Sequence, residues 1–363
     1  MKINGTPFRT IWVDSDSWSI CVIDQTKLPW ALEVLRLQDL QQAAHAIRSM
    51  QVRGAPLIGA AAAYGLALAL RADPGSDAME HAADTLAATR PTAVNLRWAL
   101  NRMLTRLRNT AVSDRVAAAY AEAAAIAEED VAQNAAIGAH GQGLIADIAR
   151  DGRNTPVNVL THCNAGWLAT VDWGTALAPI YAAHDAGVPV HVWVDETRPR
   201  NQGAALTAWE LGKHGVPHTV ISDNAGGHLM QHGRVDLAIV GTDRVTRTGD
   251  VANKIGTYLK ALAARDNGVP FWVASPSSTI DWSVSDGVHE IPIEERDASE
   301  VTTVTGRGAD GTVVTVQVTP SDSPAANPAF DVTPSRLVTG IITERGRCDA
   351  TAGGLQGLFP ELA

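Results

Sequence analysis

The sequence predicts an α/β protein in which a small N-terminal domain of strands and helices precedes a Rossmann-like, doubly wound parallel sheet. Two observations predict this class. After about residue 155, short apolar strands alternate with helical segments, which is the pattern of a parallel sheet with crossover helices. Before that point, a few strand-like pieces are followed by long alanine-rich helical patterns. We therefore expect an N-terminal domain over residues 1–148 and a catalytic Rossmann-like domain over residues 149–363.

The N-terminal elements follow from periodicity and turn residues. RTIWVD and SWSICVID are short, apolar and separated by Asp and Ser, which predicts a hairpin. Helical spacing then predicts helices in LQDLQQAAHAIRSM, RGAPLIGAAAAYGLALALRA, TAVNLRWALNRMLTRLRNT and the long segment that runs from SDRVAAAY to GLIADIA. ADPGSDA and RDGRNTP are predicted loops because they concentrate turn residues.

The C-terminal strands are predicted in chain order as VNVLTH, VPVHVWVDE, PHTVISD, VDLAIVG and PFWVASP, each followed by a helix or turn. If the sheet has the common order 3-2-1-4-5, the first and fourth strands are neighbours where the strand order reverses. Ligands of open α/β sheets bind outside the carboxyl ends of strands at that point.

Composition excludes several classes of function. The formal net charge of −10 argues against a nucleic-acid partner, which would require a basic surface. The three cysteines are widely spaced and form no CxxC pair, so we expect neither a disulfide framework nor a zinc ribbon, but a reducing cytoplasm. No GxGxxG motif follows the first predicted strand, so a dinucleotide is not indicated, and no GxxxxGK[ST] motif is present. The histidine pair in HLMQH has no acidic third ligand nearby, so we expect no metal, and no apolar run predicts a membrane partner.

Polar residues cluster where the predicted strands end. Cys163 ends the first strand, and Asp243 follows the fourth in GTDRV. The second strand leads into DETRPRNQG, which brings Asp195, Glu196, Arg198 and Gln202 to the same edge. The helix predicted after the fourth strand begins near GDVANKIG and offers Asn253 and Lys254.

Each of these residues has a purely structural interpretation. Cys163 is either a small packed hydrophobe or a thiol near the N-terminus of a helix that begins after Gly166, where its pKa would fall. Asp243 is either an acid in the crevice or a helix cap, and Lys254 is either a ligand or a surface lysine. The joint position of these residues at strand ends favours a site.

Two arginines precede predicted helix starts. Arg53 comes before Gly54, Ala55 and a proline, and Arg90 comes before a proline in TRPTAVN. Helix N-terminal amides beside an arginine bind anions, so the pair predicts a phosphate clamp between the two domains. The alternative is that both are surface residues.

An ordered set of motifs covers the chain from about residue 25 to 345. The motifs are VRGAPLIGAAAAYG, RPTAVNLRWAL, LTHCNAG, DETRP with QG and LTAWEL, GTDRV, NKIGTY, EIPIEERDASEV and NPAFDVTPSRLVTGIITERG. Together they resemble the methylthioribose-1-phosphate isomerase family. The resemblance implies an aldose–ketose isomerase of methionine salvage that converts 5-methylthioribose 1-phosphate to 5-methylthioribulose 1-phosphate. It also implies a homodimer that uses no nucleotide or metal cofactor.

The resemblance assigns roles residue by residue. Asp243 would be the catalytic acid and Cys163 the second catalytic residue. The substrate contacts would be Arg53, Gly54, Ala55, Arg90, Gln202, Asn253 and Lys254. Trp30 and Met50 are candidates for the pocket of the methylthio group. The chain departs from the family pattern at Ala205, where we expect an arginine, and at Gly226 and Gly227, where we expect bulkier residues.

The same fold serves other functions, which leaves alternatives open. These are a non-catalytic regulatory or sugar-phosphate-sensing subunit, like those of the exchange factor for a translation initiation factor, and a ribose-1,5-bisphosphate isomerase. The presence of both Cys163 and Asp243 favours an enzyme.

Overall fold

Strands and helices of the N-terminal part follow the predicted order in the computed structural model, which describes residues 1–91, 93–152 and 155–362. The strands are β1 (Lys2–Ile3), β2 (Thr6–Pro7), β3 (Ile11–Val13), β4 (Ile20–Ile23) and β5 (Val34–Leu37). The predicted hairpin is β3–β4, which is antiparallel, and β5 extends it on the other side of β4. Strand β5 was not predicted as a separate element.

The helices of this part are α1 (Leu40–Arg48), α2 (Ala55–Ala72), α3 (Ser76–Ala87), α4 (Val94–Arg108) and α5 (Arg115–Arg150). Helix α3 begins inside the predicted ADPGSDA loop, so that loop is shorter than expected. The predicted RDGRNTP loop begins where α5 ends, and two of its residues, 153 and 154, lie outside the described residues. Among the described residues, α2 is the one helix long and apolar enough to cross a membrane by length and composition, and 78% of that window is buried inside the protein.

The remaining strands are β6 (Val157–Thr161), β7 (Val190–Asp195), β8 (His218–Ile221), β9 (Leu237–Val240), β10 (Arg244–Thr246), β11 (Val251–Lys254), β12 (Phe271–Ala274), β13 (Ile280–Asp281), β14 (Thr303–Arg307), β15 (Val313–Gln317), β16 (Phe330–Thr333), β17 (Gly340–Thr343) and β18 (Gly346–Cys348). The remaining α-helices are α6 (Ala178–Asp185), α7 (Ala208–His214), α8 (Ala225–Gln231), α9 (Thr257–Asp266), α10 (Gly287–Glu290), α11 (Ser299–Thr302) and α12 (Ala352–Leu358).

The main sheet has the order β8-β7-β6-β9-β12-β17-β18, parallel except for β18 at one edge. The first five parallel strands along the chain therefore stand in the predicted order 3-2-1-4-5, and β6 is the direct neighbour of β9. The chain turns back at this pair, so the carboxyl ends of β6 and β9 flank the switch point.

The structure corrects the prediction that a helix begins near GDVANKIG. A hairpin of β10 and β11 is inserted there, and helix α9 begins only at Thr257. Asn253 and Lys254 are therefore strand residues, paired with Asp331 and Phe330 of β16. The turn between β10 and β11 contains Gly249 at a φ of 93°, a conformation that glycine adopts without steric cost.

The long helix α5 takes part in two hydrophobic cores. Its first half contributes Ala123 and Ile126 to a core formed with α2 and α4. Its second half contributes Ile137 and Ile145 to the core beneath the main sheet. The helix thus packs against both parts of the chain.

Candidate active site

Cys163 lies just beyond the carboxyl end of β6, as predicted, but its surroundings differ from the prediction. No regular helix begins beside it. A single 3₁₀ turn, Trp167–Ala169, follows, and α6 starts only at Ala178. The residue is 7% exposed and takes a φ of 66°, which is uncommon for any side chain with a Cβ. Its backbone N–H donates to Thr197 Oγ1 at 2.9 Å, and its carbonyl accepts from Thr207 Oγ1 at 2.8 Å.

The protonation of Cys163 also differs from the prediction. Burial raises the pKa of the Cys163 thiol, while the charges of Arg53 and Lys254 oppose that rise and the charge of Asp243 adds to it. The helix expected to begin after Gly166, which would have lowered the pKa, is not formed there. Burial thus favours the neutral thiol over the thiolate.

Asp243 follows β9 and faces the same crevice. Its backbone N–H donates to the carbonyl of Ala252 at 2.9 Å in the β10–β11 hairpin, so it caps no helix. The close approach of the two strand ends depends on Gly241, because a Cβ there would lie 2.4 Å from the Cβ of Ala165. Burial raises the pKa of Asp243, and the nearby charges of Lys254, Arg53 and Arg90 oppose the rise. The raised pKa favours the protonated acid.

Arg53, Gly54 and Ala55 form the start of α2 and cross over the loop that follows Cys163. Gly54 has a φ of 95°, and a Cβ on it would lie 2.4 Å from the carbonyl oxygen of Ala169. Glycine is therefore required both by the backbone conformation and by the contact. Arg53 is 9% exposed and donates from Nη1 to Asn164 Oδ1 and from Nη2 to the Asn164 carbonyl at 3.0 Å.

Arg90 and Lys254 approach Asp243 from other elements. Arg90 Nη2 lies 3.6 Å from Glu294 Oε2, and burial lowers the pKa of Arg90. Lys254 Nζ donates to the Ala329 carbonyl at 2.9 Å and lies 4.4 Å from the centre of the Phe330 ring. Burial lowers the pKa of Lys254, and the charges of Cys163 and Asp243 raise it.

The basic groups outnumber the acidic ones around Asp243. Arg53, Arg90 and Lys254 each act electrostatically on Asp243, and Glu294 is the other acidic group that does so. Arg53 and Lys254 donate to neutral acceptors, and within the described parts of the chain neither forms an ion pair with a carboxylate. The surplus positive charge is suited to an anion such as phosphate.

A pocket of about 50 Å³ adjoins Asp243, Arg90 and Arg244, and its other walls are apolar and include Ile58 and Phe330. We call it the Asp243 pocket. Ala55 also borders it, so the start of α2 separates it from a larger cavity.

The larger cavity, which we call the main cavity, measures about 430 Å³. It is bordered by Arg53, Gln202, Trp30, Met50 and Ala205, among others. The structure thus brings Gln202 and both candidates for the methylthio pocket to one cavity beside Arg53. The Ala205 departure changes its wall, whereas Gly226 lies elsewhere, where a Cβ would meet Leu160 and Lys260 at about 3 Å.

Asn253 and two of the residues predicted at the end of the second strand, Glu196 and Arg198, have partners of their own. Asn253 Nδ2 donates to Thr257 Oγ1 at 3.0 Å. Arg198 donates to the carbonyls of Pro199, Val301 and Thr303 and so fixes the segment that leads into β14. The backbone N–H of Glu196 donates to the carbonyl of Ile221. Arg198 and Glu196 therefore stabilise the loop beside the crevice rather than line the crevice.

Asp195 belongs to a buried network behind Cys163. Its Oδ2 lies 2.9 Å from His162 Nδ1 and 3.1 Å from Lys260 Nζ. His162, Asp195 and Asp223 each present a ligand atom within 4.8 Å of the others, which is a geometry that could hold a metal ion. Lys260 already supplies a cation to Asp195, and His162 Nε2 bonds to the Ile255 carbonyl at 2.9 Å, so the donor set fits an ion-pair network better.

The residues that hold this arrangement together were given no role from the sequence: His162, Asn164, Thr197, Thr207, Glu210 and Glu294. Glu210 carried a weak signal, since it is an acidic residue inside the apolar helical segment LTAWEL. The others could not be found from spacing because their partners are distant in the chain.

A doubly wound sheet with a protonatable acid, a thiol and surplus positive charge at its switch point is typical of an enzyme that moves protons on a small phosphorylated substrate. The comparisons with known proteins narrow this class. Residues 51–350 match the model of the Initiation factor 2 subunit family. The methylthioribose-1-phosphate isomerase of Acidiphilium cryptum is 69% identical, with 100% of this chain and 99% of that protein covered. The enzyme of the same name from Gluconobacter oxydans is 68% identical, with 99% of each chain covered.

Solved structures agree with these relatives. The 5-methylthioribose 1-phosphate isomerase of Pyrococcus horikoshii superposes with a TM-score of 0.82 at 40% identity, covering 97% of this chain and 96% of that one. The delta subunit of translation initiation factor eIF-2B from A. fulgidus has a TM-score of 0.80 at 40% identity, covering 98% and 100%. The chain belongs to the methylthioribose-1-phosphate isomerase family, within the wider Initiation factor 2 subunit family.

Proposed function

We propose that this protein is an aldose–ketose isomerase that converts 5-methylthioribose 1-phosphate to 5-methylthioribulose 1-phosphate in methionine salvage. The observation that carries the proposal is the pairing of Asp243, whose pKa burial raises, with Cys163 beside a surplus of basic groups. The full-length relatives at 64–69% identity, all named methylthioribose-1-phosphate isomerase, support the same substrate.

The chemistry of this substrate demands an acid. The hydroxyl on C1 carries the phosphate, so the ring cannot open as a free hemiacetal does. The ring oxygen must receive a proton as its bond to C1 breaks. We assign this step to Asp243, because a carboxyl with a raised pKa holds a transferable proton closer to neutral pH than an ordinary aspartate does.

We assign the phosphate to the basic side of the site. Arg53 has the backbone of Gly54 and Ala55 at the start of α2 beside it, and Arg90 and Lys254 add positive charge near Asp243. Helix N-terminal amides and guanidinium groups together hold phosphate oxygens. Gln202, on the wall of the main cavity, and Asn253, in the strand beside Lys254, complete the proposed substrate contacts.

Ring opening leaves an oxocarbenium ion whose C1 still carries the phosphate, and Cys163 fits two routes from this ion to the ketose. In the first, its thiolate removes the C2 proton, the C2 hydroxyl loses its proton to give a cis-enolate, and C1 gains a proton. In the second, a hydride passes from C2 to C1 as the C2 hydroxyl loses its proton, and the neutral thiol helps to form a wall that excludes water. The raised pKa of Cys163 favours the neutral thiol before substrate binds, which supports the second route. Running the reaction in D₂O separates them, because only the enolate route exchanges the migrating hydrogen with solvent.

We propose that the methylthio group enters the main cavity. Trp30 and Met50 offer it an aromatic face and a flexible thioether, and both line the cavity that Arg53 and Gln202 border. Sulfur–aromatic contacts of this kind are favourable.

The alternative is a non-catalytic subunit of the same fold, and the 40% identity to a translation-factor subunit from A. fulgidus keeps it in view. Incubation of the purified protein with 5-methylthioribose 1-phosphate decides between them. We expect the ketose to accumulate and to be detected by ¹³C NMR. Unchanged substrate at high enzyme concentration would contradict the proposal, and turnover of ribose 1,5-bisphosphate instead would move the function to that isomerase.

We also propose the domain boundary, the oligomeric state and the location of the protein.

The proposed division between residues 148 and 149 falls in the last turn of α5. A homodimer is expected, and the exposed side chains of Val313, Val314 and Val316 on β15 offer it an apolar edge. Cytoplasmic location is supported by Cys21, Cys163 and Cys348, which are all free.

A further inference from the structure

A buried carboxyl group lies directly behind the loop that follows Cys163. Glu210, in α7, is 0% exposed and accepts hydrogen bonds from Asn164 Nδ2 at 2.6 Å and from the backbone N–H of Leu168 at 3.2 Å. A Cβ on Gly166 would lie 1.7 Å from Glu210 Oε1, so the loop closes around the carboxyl with no space to spare. Glu210 does not border either cavity, and none of the roles assigned above uses it.

Glu210 determines how the amide of Asn164 is oriented. One amide hydrogen of Asn164 is donated to Glu210 and the other to Thr207 Oγ1 at 3.1 Å. With both hydrogens committed on that side, the amide oxygen is directed to the opposite side, where it accepts from Arg53 Nη1. The Asn164 carbonyl accepts from Arg53 Nη2 at 3.0 Å, so one residue holds the guanidinium at two points.

Arg53 is therefore fixed by neutral acceptors. Both hydrogen bonds of Arg53 go to Asn164, and among the described residues no carboxylate forms an ion pair with it. Burial raises the pKa of Glu210 to about 8, so this carboxyl is largely neutral at pH 7 and does not compensate the charge of Arg53. An aspartate in the place of Asn164 would hold Arg53 equally well but would cancel its charge.

We propose that Glu210 is a positioning residue for phosphate binding, which acts through Asn164 to hold the Arg53 guanidinium in its binding orientation. The proposal rests on the proposed function, in which Arg53 binds the substrate phosphate. The alternative is that Glu210 only fills and stabilises the core around Gly166.

The test compares Glu210→Met, which keeps the size but removes the acceptor, with Glu210→Gln, which imitates the neutral acid and keeps an oxygen for Asn164. Binding of inorganic phosphate to the full-length protein is measured by calorimetry, and KM and kcat are measured separately. We expect Glu210→Met to weaken phosphate binding and raise KM by about five- to fiftyfold with a smaller change in kcat, because a buried hydrogen-bonded partner is lost. Glu210→Gln should stay within about threefold of the unmodified protein.

Coupling to Arg53 separates positioning from core filling. If Glu210 acts through Arg53, the double variant Arg53→Ala, Glu210→Met binds phosphate no more weakly than Arg53→Ala alone. Both substitutions then remove the same contribution to phosphate affinity, that of the Arg53 guanidinium. Additive losses would overturn the proposal. Asp130→Asn is the matched control: Asp130 is also buried, its pKa is also raised, to about 7, and it bonds to the Val171 N–H rather than to Asn164. It should leave phosphate binding unchanged.

Two outcomes settle the remaining cases. A folded Glu210→Met protein with unmodified phosphate binding contradicts the proposal, and Glu210→Ala takes its place if the methionine variant does not fold. Absence of turnover in the unmodified protein would contradict the proposed function alone, because phosphate binding and its coupling to Arg53 are measured without turnover.

Discussion

Replacing Asp243 by asparagine is the most direct test of the proposed chemistry. The amide keeps the size of the side chain and its hydrogen-bonding oxygen, but it cannot deliver a proton to the ring oxygen. Loss of general acid catalysis lowers rates by about 10²- to 10⁴-fold. We therefore expect kcat to fall at least about 100-fold.

The structure also predicts what Asp243→Asn leaves intact. Asparagine carries no negative charge at any pH, and Arg53, Arg90 and Lys254 already outnumber the acidic groups of the site. Phosphate should bind at least as tightly as before, and KM should not rise.

The pH profile provides a second measurement on the same variant. Burial raises the pKa of Asp243, so the acid form persists above the usual range of an aspartate and is lost as the pH rises through that raised value. In the unmodified protein kcat should fall on the alkaline side of this pKa, and in Asp243→Asn this limb should disappear. Asp130→Asn, the matched control, should keep both rate and profile. Near-normal kcat in Asp243→Asn would refute the acid role.

Three further predictions follow from the same site. Arg53→Ala should raise KM about 10- to 150-fold, because a charge-assisted hydrogen bond contributes roughly 1.5–3 kcal/mol. Arg90→Ala should raise KM less, because Arg90 shares its charge with Glu294. Unchanged KM and unchanged inhibition by phosphate in both variants would place the phosphate clamp elsewhere. If Cys163 is the base, Cys163→Ala and Cys163→Ser should fold and bind phosphate yet lose at least about 100-fold in kcat. If its neutral thiol only forms a wall of the site, the alanine variant should keep near-normal turnover. Trp30→Ala should raise KM for the methylthio substrate about tenfold without changing phosphate affinity, since only the apolar contact is lost. Equal losses of affinity for the substrate and for phosphate would show that Trp30 is not part of the methylthio pocket.

The alternation of strands and helices predicted a doubly wound parallel sheet, and the common order 3-2-1-4-5 assumed for such a sheet is the order observed. Cys163 and Asp243 could be placed together for the same reason: each follows the end of one of two adjacent strands. The inserted hairpin was missed because RVTRTGDVANK has a strand pattern too short to distinguish from the start of the helix that follows.

The local structure after Cys163 was predicted wrongly for a different reason. The small residues of NAGWLAT suggested a helix, but Gly166 pairs with Gly174 as an isolated bridge, and the side chain of Glu210 occupies the space behind the loop. Contacts such as Asn164 with Glu210 join residues 46 positions apart and depend on tertiary packing. Spacing along the chain carries no signal for them.

Because α5 packs in two hydrophobic cores, we can predict how truncation near the domain boundary affects folding. At 1.5 Å per residue its 36 residues form a rod about 54 Å long, with Ile126 fixed in one core and Ile145 in the other. A fragment that ends near residue 148 would retain the rod but leave its second apolar face without the cover of α6. A fragment that begins there would lose that face from its own interior. We therefore expect that neither proposed domain folds independently, because both depend on the same helix for part of their hydrophobic core.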